Sequence, residues 1–284
     1  MLFCDVAGST ALAEGMDAEA CTGIMRTTFG YLIEPVERNG GTVARLLGDT
    51  ILIAPLVGMI LHGLIFTALL THAAFIIGKP GFRFLVVLAL APLISLLSLA
   101  LPLNQFPPIY RYLVIGIPLF LAVYLAGRAT GLHGKSIGLR FSWRSLPLQL
   151  LIGITGILLG YIEYLILHPE PLVVEPRWEL TWLPVLILLV FTGLLEEIIF
   201  RGMLQTSSLQ YLGLWGILYV AILYAILHFG YWSLLNFLFV FAVAIAFGVI
   251  VRRTGSIVGV SLSHGLTNVS LYLIFPFILA GPLT

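Results

Sequence analysis

Charged side chains are scarce in this sequence: only 10% of its 284 residues are Asp, Glu, Lys or Arg, whereas 60% are hydrophobic. A soluble domain carries about 25% charged residues, so an ordinary soluble globular protein is excluded for most of the chain. The mean hydropathy of +1.09 predicts a polytopic membrane protein. The net charge is only +1, and we therefore expect no nucleic acid partner.

Cysteine and the familiar metal-binding signatures are also missing. The two thiols, Cys4 and Cys21, form no CxxC motif and no Cys/His spacing, so we interpret them as free thiols. The zinc-protease signature HExxH is absent. We expect no cleavable signal peptide, because the first residues include Asp5 and lack a basic segment.

Negative charge is concentrated near the N-terminus. Residues 1–58 carry a net charge of −4, whereas residues 59–284 carry +5. The composition changes near Pro55, where long apolar runs begin. We therefore predict two domains, a short truncated α/β fragment over 1–55 and an all-α membrane domain over 56–284.

The apolar runs of the second domain are long enough to cross a hydrocarbon core of about 30 Å. Gly and Pro residues separate them, as expected for the ends of helices. They predict an all-α polytopic membrane protein, a bundle of about eight transmembrane helices. The predicted limits are 56–77, 84–102, 110–127, 146–167, 181–205, 212–229, 232–251 and 255–279.

The predicted loops differ in their content of Lys and Arg. Eight basic residues follow the first, third and seventh helices, and only two lie in the opposite loops. Basic loops stay in the cytoplasm, so both ends of an eight-helix bundle would lie outside. The expected location is a bacterial cytoplasmic membrane, with the protein crossing it several times.

The stretch LLEEIIFRG places Glu196, Glu197 and Arg201 inside the fifth apolar run. A charge near the bilayer centre costs roughly 2.5–3.5 kcal/mol, so three together need a reason. Glu197 and Arg201 are four residues apart and can pair on one helix face. Glu196 lies about 100° around the helix from Glu197, so it cannot join this pair equally well and is available for another role. A purely structural ion-pair cluster is the alternative.

Two further helices carry histidine. His228 stands near the end of the sixth run, and His264 and Asn268 share a face of the last. Taken one at a time, each of these residues could have a purely structural role, in packing or in hydrogen bonds between helices. Together with Glu196, however, two histidines and an amide are sufficient to activate a water molecule and stabilise an oxyanion. Our helix limits place His228 at a different depth from Glu196, so convergence requires a sixth helix that begins later, tilts or re-enters.

The three motifs, in this order, resemble those of the CPBP family, the CAAX-protease and bacteriocin-processing proteins. LLEEIIFRG has the EExxxR pattern, YAILH is similar to FxxxH with Tyr224 in place of Phe, and HGLTN has the HxxxN pattern. The resemblance covers about 110–284. It implies an intramembrane endopeptidase in which Glu196 activates water and Glu197 and Arg201 form a supporting pair. It also implies that three more residues line one cavity together with Glu196: His228, His264 and Asn268.

The implied substrate is a membrane-embedded or membrane-associated peptide or protein, and the lipid bilayer is the other partner. The family is labelled metalloprotease. Ligand count makes Glu196, His228 and His264 a candidate Zn²⁺ set, and water activation without a metal is the alternative. A non-catalytic membrane scaffold or immunity protein of the same family is the runner-up. The other histidines are assigned no role: His62, His72, His133 and His168.

The N-terminal stretches FCDVAGST and LLGDTILI resemble the opening of class III adenylate/guanylate cyclase domains. The resemblance implies that Asp5 and Asp49 bind two metal ions. It ends near residue 54, well short of a complete cyclase domain, so we interpret it as a remnant. A gene fusion or misjoined gene, with Met59 near the original start, would explain it. A membrane-tethered cyclase subunit that borrows its missing half is the weaker alternative.

Overall fold

The computed structural model separates into two compact units, which are described one at a time. The first comprises residues 1–65 and 95–101, and the second comprises 66–94 and 102–284. The described parts of the chain are residues 2–5, 43–47, 50–53, 55–79, 81–140, 142–229 and 233–279.

The first unit contains a small antiparallel sheet. Its three strands are β1 (Leu2–Asp5), β2 (Val43–Leu47) and β3 (Thr50–Ile53), in the order β1-β3-β2. The prediction placed two short strands around Gly48-Asp49, and β2 and β3 lie there. Cys21 and Asp49 lie outside the described residues, so the metal-binding role of Asp5 and Asp49 stays a prediction.

The rest of the described chain is helical. It forms eight principal helices. Seven of them are long and apolar enough to cross a membrane, and the other, Trp215–Leu227, is shorter. The predicted all-α polytopic architecture is confirmed, and the protein is a multi-pass integral membrane protein. The helices are α1 (Pro55–Phe75), α2 (Phe82–Ala100, with a turn at Ala89), α3 (Pro108–Thr130), α4 (Leu146–Leu167), α5 (Trp178–Leu212), α6 (Trp215–Leu227), α7 (Leu234–Thr254) and α8 (Val258–Leu279).

Helix α5 extends beyond the predicted limits of 181–205. Its polar continuation stays helical because the side chains find partners inside the protein: Gln205 Nε2 donates to Gly248 O at 2.9 Å, and Ser207 Oγ donates to Met203 O at 2.9 Å. At 1.5 Å per residue, its 35 residues span about 52 Å, which exceeds the hydrocarbon core. The helix must therefore tilt or project beyond the core.

Two π-helical stretches interrupt α5, at Leu188–Leu194 and Ile198–Leu204. Between them lies a single α-helical turn, Leu195–Glu197. Stretches of π-helix are rare overall, and those that do occur are often found at functional sites. The acidic pair predicted to be functional therefore lies where the helix departs twice from regular geometry.

Helix α6 is shorter than its predicted range of 212–229. Its 13 residues span about 20 Å, less than the core thickness, so at least one end lies at membrane depth. His228 follows the last helical residue directly. His228 therefore lies at the C-terminal end of α6, where its partly buried side chain comes within 3.9 Å of Glu196.

Glycine permits α4 and α8 to approach each other closely. A Cβ at Gly156 would lie 2.0 Å from Ser263 O, and a Cβ at Gly160 would lie 2.6 Å from Thr267 O. Small residues at such contacts are typical of membrane helix pairs, because backbones then pack directly. The glycines thus bring α4 into backbone contact with α8 at Ser263 and Thr267, residues that flank His264 in sequence.

A second glycine contact joins α5 to α8. A Cβ at Gly193 would lie 2.7 Å from both Gly265 Cα and Ser261 O. Gly193 precedes Glu196 by three residues, and Gly265 follows His264 directly. This contact therefore sets the position of the acidic pair relative to the histidine.

We expect Gly193→Ala to lower the unfolding temperature of the purified protein, because backbone atoms cannot move aside for the new methyl group. Overpacking of this kind costs about 1–3 kcal/mol. The matched control is Gly63→Ala, where an added Cβ meets nothing within 4 Å. Equal unfolding temperatures for the two variants in detergent would contradict the proposed close contact.

Candidate active site

The centre of the site is a buried ion pair on α5. Arg201 Nη1 donates to Glu197 Oε1 at 2.8 Å, and the two side chains are 1% and 0% exposed. The four-residue separation places both on one helix face, as predicted from sequence. The guanidinium also lies over the Tyr224 ring, 4.4 Å from its centroid. Glu197 is thus a neutralised carboxylate enclosed in protein.

His264 of α8 is fixed by the same carboxylate. Its Nδ1 lies 3.1 Å from Glu197 Oε1, and its Nε2 lies 3.3 Å from the Tyr224 hydroxyl. Because a carboxylate can only accept, the geometry assigns the imidazole proton to Nδ1. Nε2 is then an acceptor, and it competes with Glu196 Oε2 for the single proton of the Tyr224 hydroxyl.

Glu196 differs from Glu197 in both exposure and partners. Its side chain is 23% exposed, and its Oε2 accepts from the Tyr224 hydroxyl at 3.3 Å. The same oxygen lies 3.9 Å from His228 Nε2 and 3.9 Å from His264 Nε2. These separations are too long for direct hydrogen bonds and close enough for one water molecule to contact both sides.

His228 reaches the site from the end of α6. Its Nδ1 lies 2.9 Å from the backbone oxygen of Tyr224, so Nδ1 carries the proton and Nε2 faces Glu196. Its ring packs against Tyr224 with 4.2 Å between centroids. His228 and Glu196 do converge, and α6 begins at Trp215, later than the predicted 212, as one of the three routes to convergence required.

Asn268 takes a different position from the other predicted residues. Its Nδ2 donates to Thr192 Oγ1 at 2.8 Å, and Thr192 Oγ1 in turn donates to the Leu188 backbone oxygen. Within the described chain, the amide makes no hydrogen bond to the acidic pair or to either histidine. It nevertheless lines the same cavity as His264.

The cavity beside these residues has a volume of about 50 Å³. One wall is apolar and comes from α7. The opposite side is polar and carries most of the residues predicted from the three motifs. The lining includes Leu159, Glu163, Arg201, Tyr224, His228, Phe239, Val240, Val243, Phe247, His264, Thr267 and Asn268.

The contacts of the described residues give the candidate zinc set no support. Both ring nitrogens of His264 already contact protein groups, Glu197 and Tyr224. No three His, Cys, Asp or Glu residues in the described parts of the chain are grouped to hold one ion. Zinc bound by Glu196, His228 and His264 stays a prediction, and no step below depends on a metal.

The sequence analysis missed Glu163. This carboxylate lies on α4, is 9% exposed and lines the cavity together with His264 and Thr267. The signal was present in GYIEYLIL, a lone acid in an apolar run. The criterion that identified Glu196, an ionisable residue at membrane depth, applies equally here.

A known protein family matches part of the chain. Residues 178–270 match the family model described as Rce1-like, Type II CAAX prenyl endopeptidase Rce1-like. No curated protein and no solved structure gives a significant match. The matched range runs from the start of α5 into α8, so it includes all three motifs and leaves Glu163 outside. Over residues 178–270, about a third of its length, this chain therefore carries an Rce1-like segment, and the predicted resemblance to the CPBP proteases is confirmed there.

Proposed function

We propose that this protein is an intramembrane endopeptidase that hydrolyses peptide bonds with a water molecule activated by Glu196. The observation that carries the proposal is the difference between two adjacent carboxylates. Glu197 is enclosed and paired with Arg201, whereas Glu196 is partly exposed and faces two imidazole nitrogens at 3.9 Å. A neutralised neighbour leaves Glu196 as the carboxylate that can accept a proton.

In the proposed reaction, a water molecule lies between Glu196 Oε2 and His228 Nε2. Glu196 takes one proton from the water, and the oxygen forms a bond to the scissile carbonyl carbon. When the carbon–nitrogen bond breaks, Glu196 returns this proton to the leaving amine. The carboxylate is thereby regenerated, and the products are a carboxylic acid and an amine.

The oxyanion formed during attack needs a hydrogen-bond donor. Asn268 supplies one, because its Nδ2 carries two hydrogens and the Thr192 contact uses only one. The Tyr224 hydroxyl carries a single proton, which it donates to Glu196 Oε2, so Asn268 is the donor assigned to the oxyanion. His264 is a positioning residue that links Glu197 to Tyr224.

The substrate proposed for this site is a membrane-associated peptide or protein. The apolar α7 wall, formed by Phe239, Val240, Val243 and Phe247, suits an apolar chain segment better than a soluble one. The matched family description names a prenylated CAAX substrate, so a farnesylated CAAX peptide belongs in the test panel. We propose a bacterial cytoplasmic membrane as its location, with the basic loops on the cytoplasmic side.

The test uses purified full-length protein in lipid nanodiscs with apolar and farnesylated peptides, and products are identified by mass spectrometry. We expect wild-type protein and Glu170→Gln to cleave, because Glu170 is exposed and outside the cavity. Glu196→Gln and His264→Ala should insert normally and lose cleavage. Unchanged proteolysis in both variants would refute the mechanism. If the same variants keep the biological effect of the protein in cells although cleavage is lost, the non-catalytic scaffold would be favoured.

Tyr224→Phe is expected to retain most activity, with less than a tenfold fall in kcat/KM. The lost hydroxyl contacts are long, at 3.3 Å each, whereas the ring contacts with Phe200, Arg201 and His228 remain. The resembled motif also carries Phe at this position. Steady-state kinetics on one cleaved peptide provide the measurement, and a loss as large as that of Glu196→Gln would show that the hydroxyl is essential.

A further inference from the structure

Glu163 lies on the same face of α4 as the glycines that contact α8. Residues 156, 160 and 163 are spaced by four and three positions, so they form one stripe along the helix. The first two are glycines in backbone contact with α8. At the third position the stripe carries a carboxylate instead, where the cavity opens between the helices.

The carboxylate of Glu163 has no partner in the described structure. None of the described residues forms a hydrogen bond or ion pair with it, although the side chain is 91% buried. Arg201 is the only Lys or Arg among the described residues lining the cavity, and its guanidinium is bonded to Glu197. A buried carboxylate that is not neutralised by its own protein is rare.

Function explains such a group better than stability does. Burial without a partner is unfavourable for an ionised carboxylate, and an apolar residue would pack against α8 without that penalty. The energetic cost of burying this carboxylate is offset when a ligand brings a cation into the cavity. Glu163 is the only Asp or Glu among the described residues that line the cavity, so it is the carboxylate available there to an incoming positive group.

We propose that Glu163 forms a substrate-binding subsite that takes a basic side chain, Lys or Arg, near the scissile bond. This inference rests on the proposed function and adds a specificity to it. The aliphatic stem of Lys or Arg would lie along the apolar wall at Phe239 and Val243, and the charged end would reach the carboxylate.

The experiment compares paired farnesylated peptides that carry either Lys or norleucine, scanned through the positions flanking the cleaved bond. Norleucine keeps the aliphatic stem and removes the charge. We expect wild-type kcat/KM to be roughly tenfold or more higher for the best Lys peptide, as for a charge-assisted hydrogen bond. In Glu163→Gln this ratio should fall to about one, while cleavage of the norleucine peptide stays within threefold.

Glu170→Gln is the matched control, since it makes the same chemical change at an exposed site and should keep the wild-type ratio. Size-exclusion chromatography and the unfolding temperature establish that each variant is folded. Three results would each overturn the inference: equal wild-type rates for both peptides, a Lys preference that survives in Glu163→Gln, or an equal loss of cleavage for both peptides in that variant.

A binding measurement tests this inference independently of the proposed function. Fluorescence anisotropy of labelled Lys and norleucine peptides is measured on Glu196→Gln and on Glu196→Gln/Glu163→Gln. Tighter binding of the Lys peptide in the first and not in the second supports the subsite, even if wild-type protein cleaves nothing. Cleavage without any charge-dependent binding contradicts the subsite and leaves the endopeptidase proposal standing.

Discussion

Replacing Glu196 with Gln is expected to reduce peptide hydrolysis by about 10²–10⁴-fold, the usual contribution of a general base. Gln has the same shape and can still contact the Tyr224 hydroxyl, but its amide cannot take a proton from water. The effect should appear in kcat, since the cavity wall that binds substrate is unchanged. Single-turnover cleavage of one peptide in nanodiscs, with enzyme in excess, measures the chemical step directly.

Glu196→Gln should leave the protein as stable as wild type. Its carboxylate is partly exposed, and within the described structure its only hydrogen bond is the 3.3 Å contact with Tyr224. An unchanged unfolding temperature together with lost turnover would therefore separate chemistry from folding. Turnover within tenfold of wild type would remove Glu196 as the base.

Removing Arg201 is expected to have the largest effect on stability. Arg201→Met leaves Glu197 as a fully buried carboxylate without its cation, a change that costs about 3–5 kcal/mol in buried pairs. The double variant Glu197→Gln/Arg201→Met should recover much of that loss, because no unpaired charge remains. Thermal unfolding of the detergent-solubilised protein, followed by intrinsic fluorescence, provides the comparison.

The matched control is Arg177→Met. Arg177 Nε lies 2.8 Å from Glu175 Oε2, the same distance as the buried pair, but these side chains are 66% and 55% exposed. An exposed pair contributes about 0–1 kcal/mol, so we expect little change. Equal shifts for Arg177→Met and Arg201→Met, or no recovery in the double variant, would contradict the assigned role of burial.

The number of helices and the three motifs could be predicted because both are local in sequence. A span of apolar residues needs only its own length to be recognised, and the pairing of Glu197 with Arg201 follows from helix geometry alone. The sequence also identified His228 and His264 as polar residues in apolar helices. For these features, no knowledge of tertiary contacts was needed.

The remaining features depend on neighbours that are distant in sequence. Helix α5 continues past residue 205 because Gln205 finds a partner on α7, which no local pattern reveals. The partner of Asn268 is Thr192, 76 residues away and itself unremarkable in sequence. The position of Glu163 in the cavity requires the close packing of α4 on α8, which the glycine spacing permits but does not prescribe.

The backbone contacts made by glycine also bear on how a peptide could reach the active site. Helices α4, α5 and α8 meet through main-chain atoms at Gly156, Gly160 and Gly193, so they have no slack in which to slide or separate. The α7 side of the cavity is instead lined by side chains of Phe and Val residues. If the proposed peptide substrate enters from the bilayer, we therefore expect α7 to be displaced more readily than α4, α5 or α8.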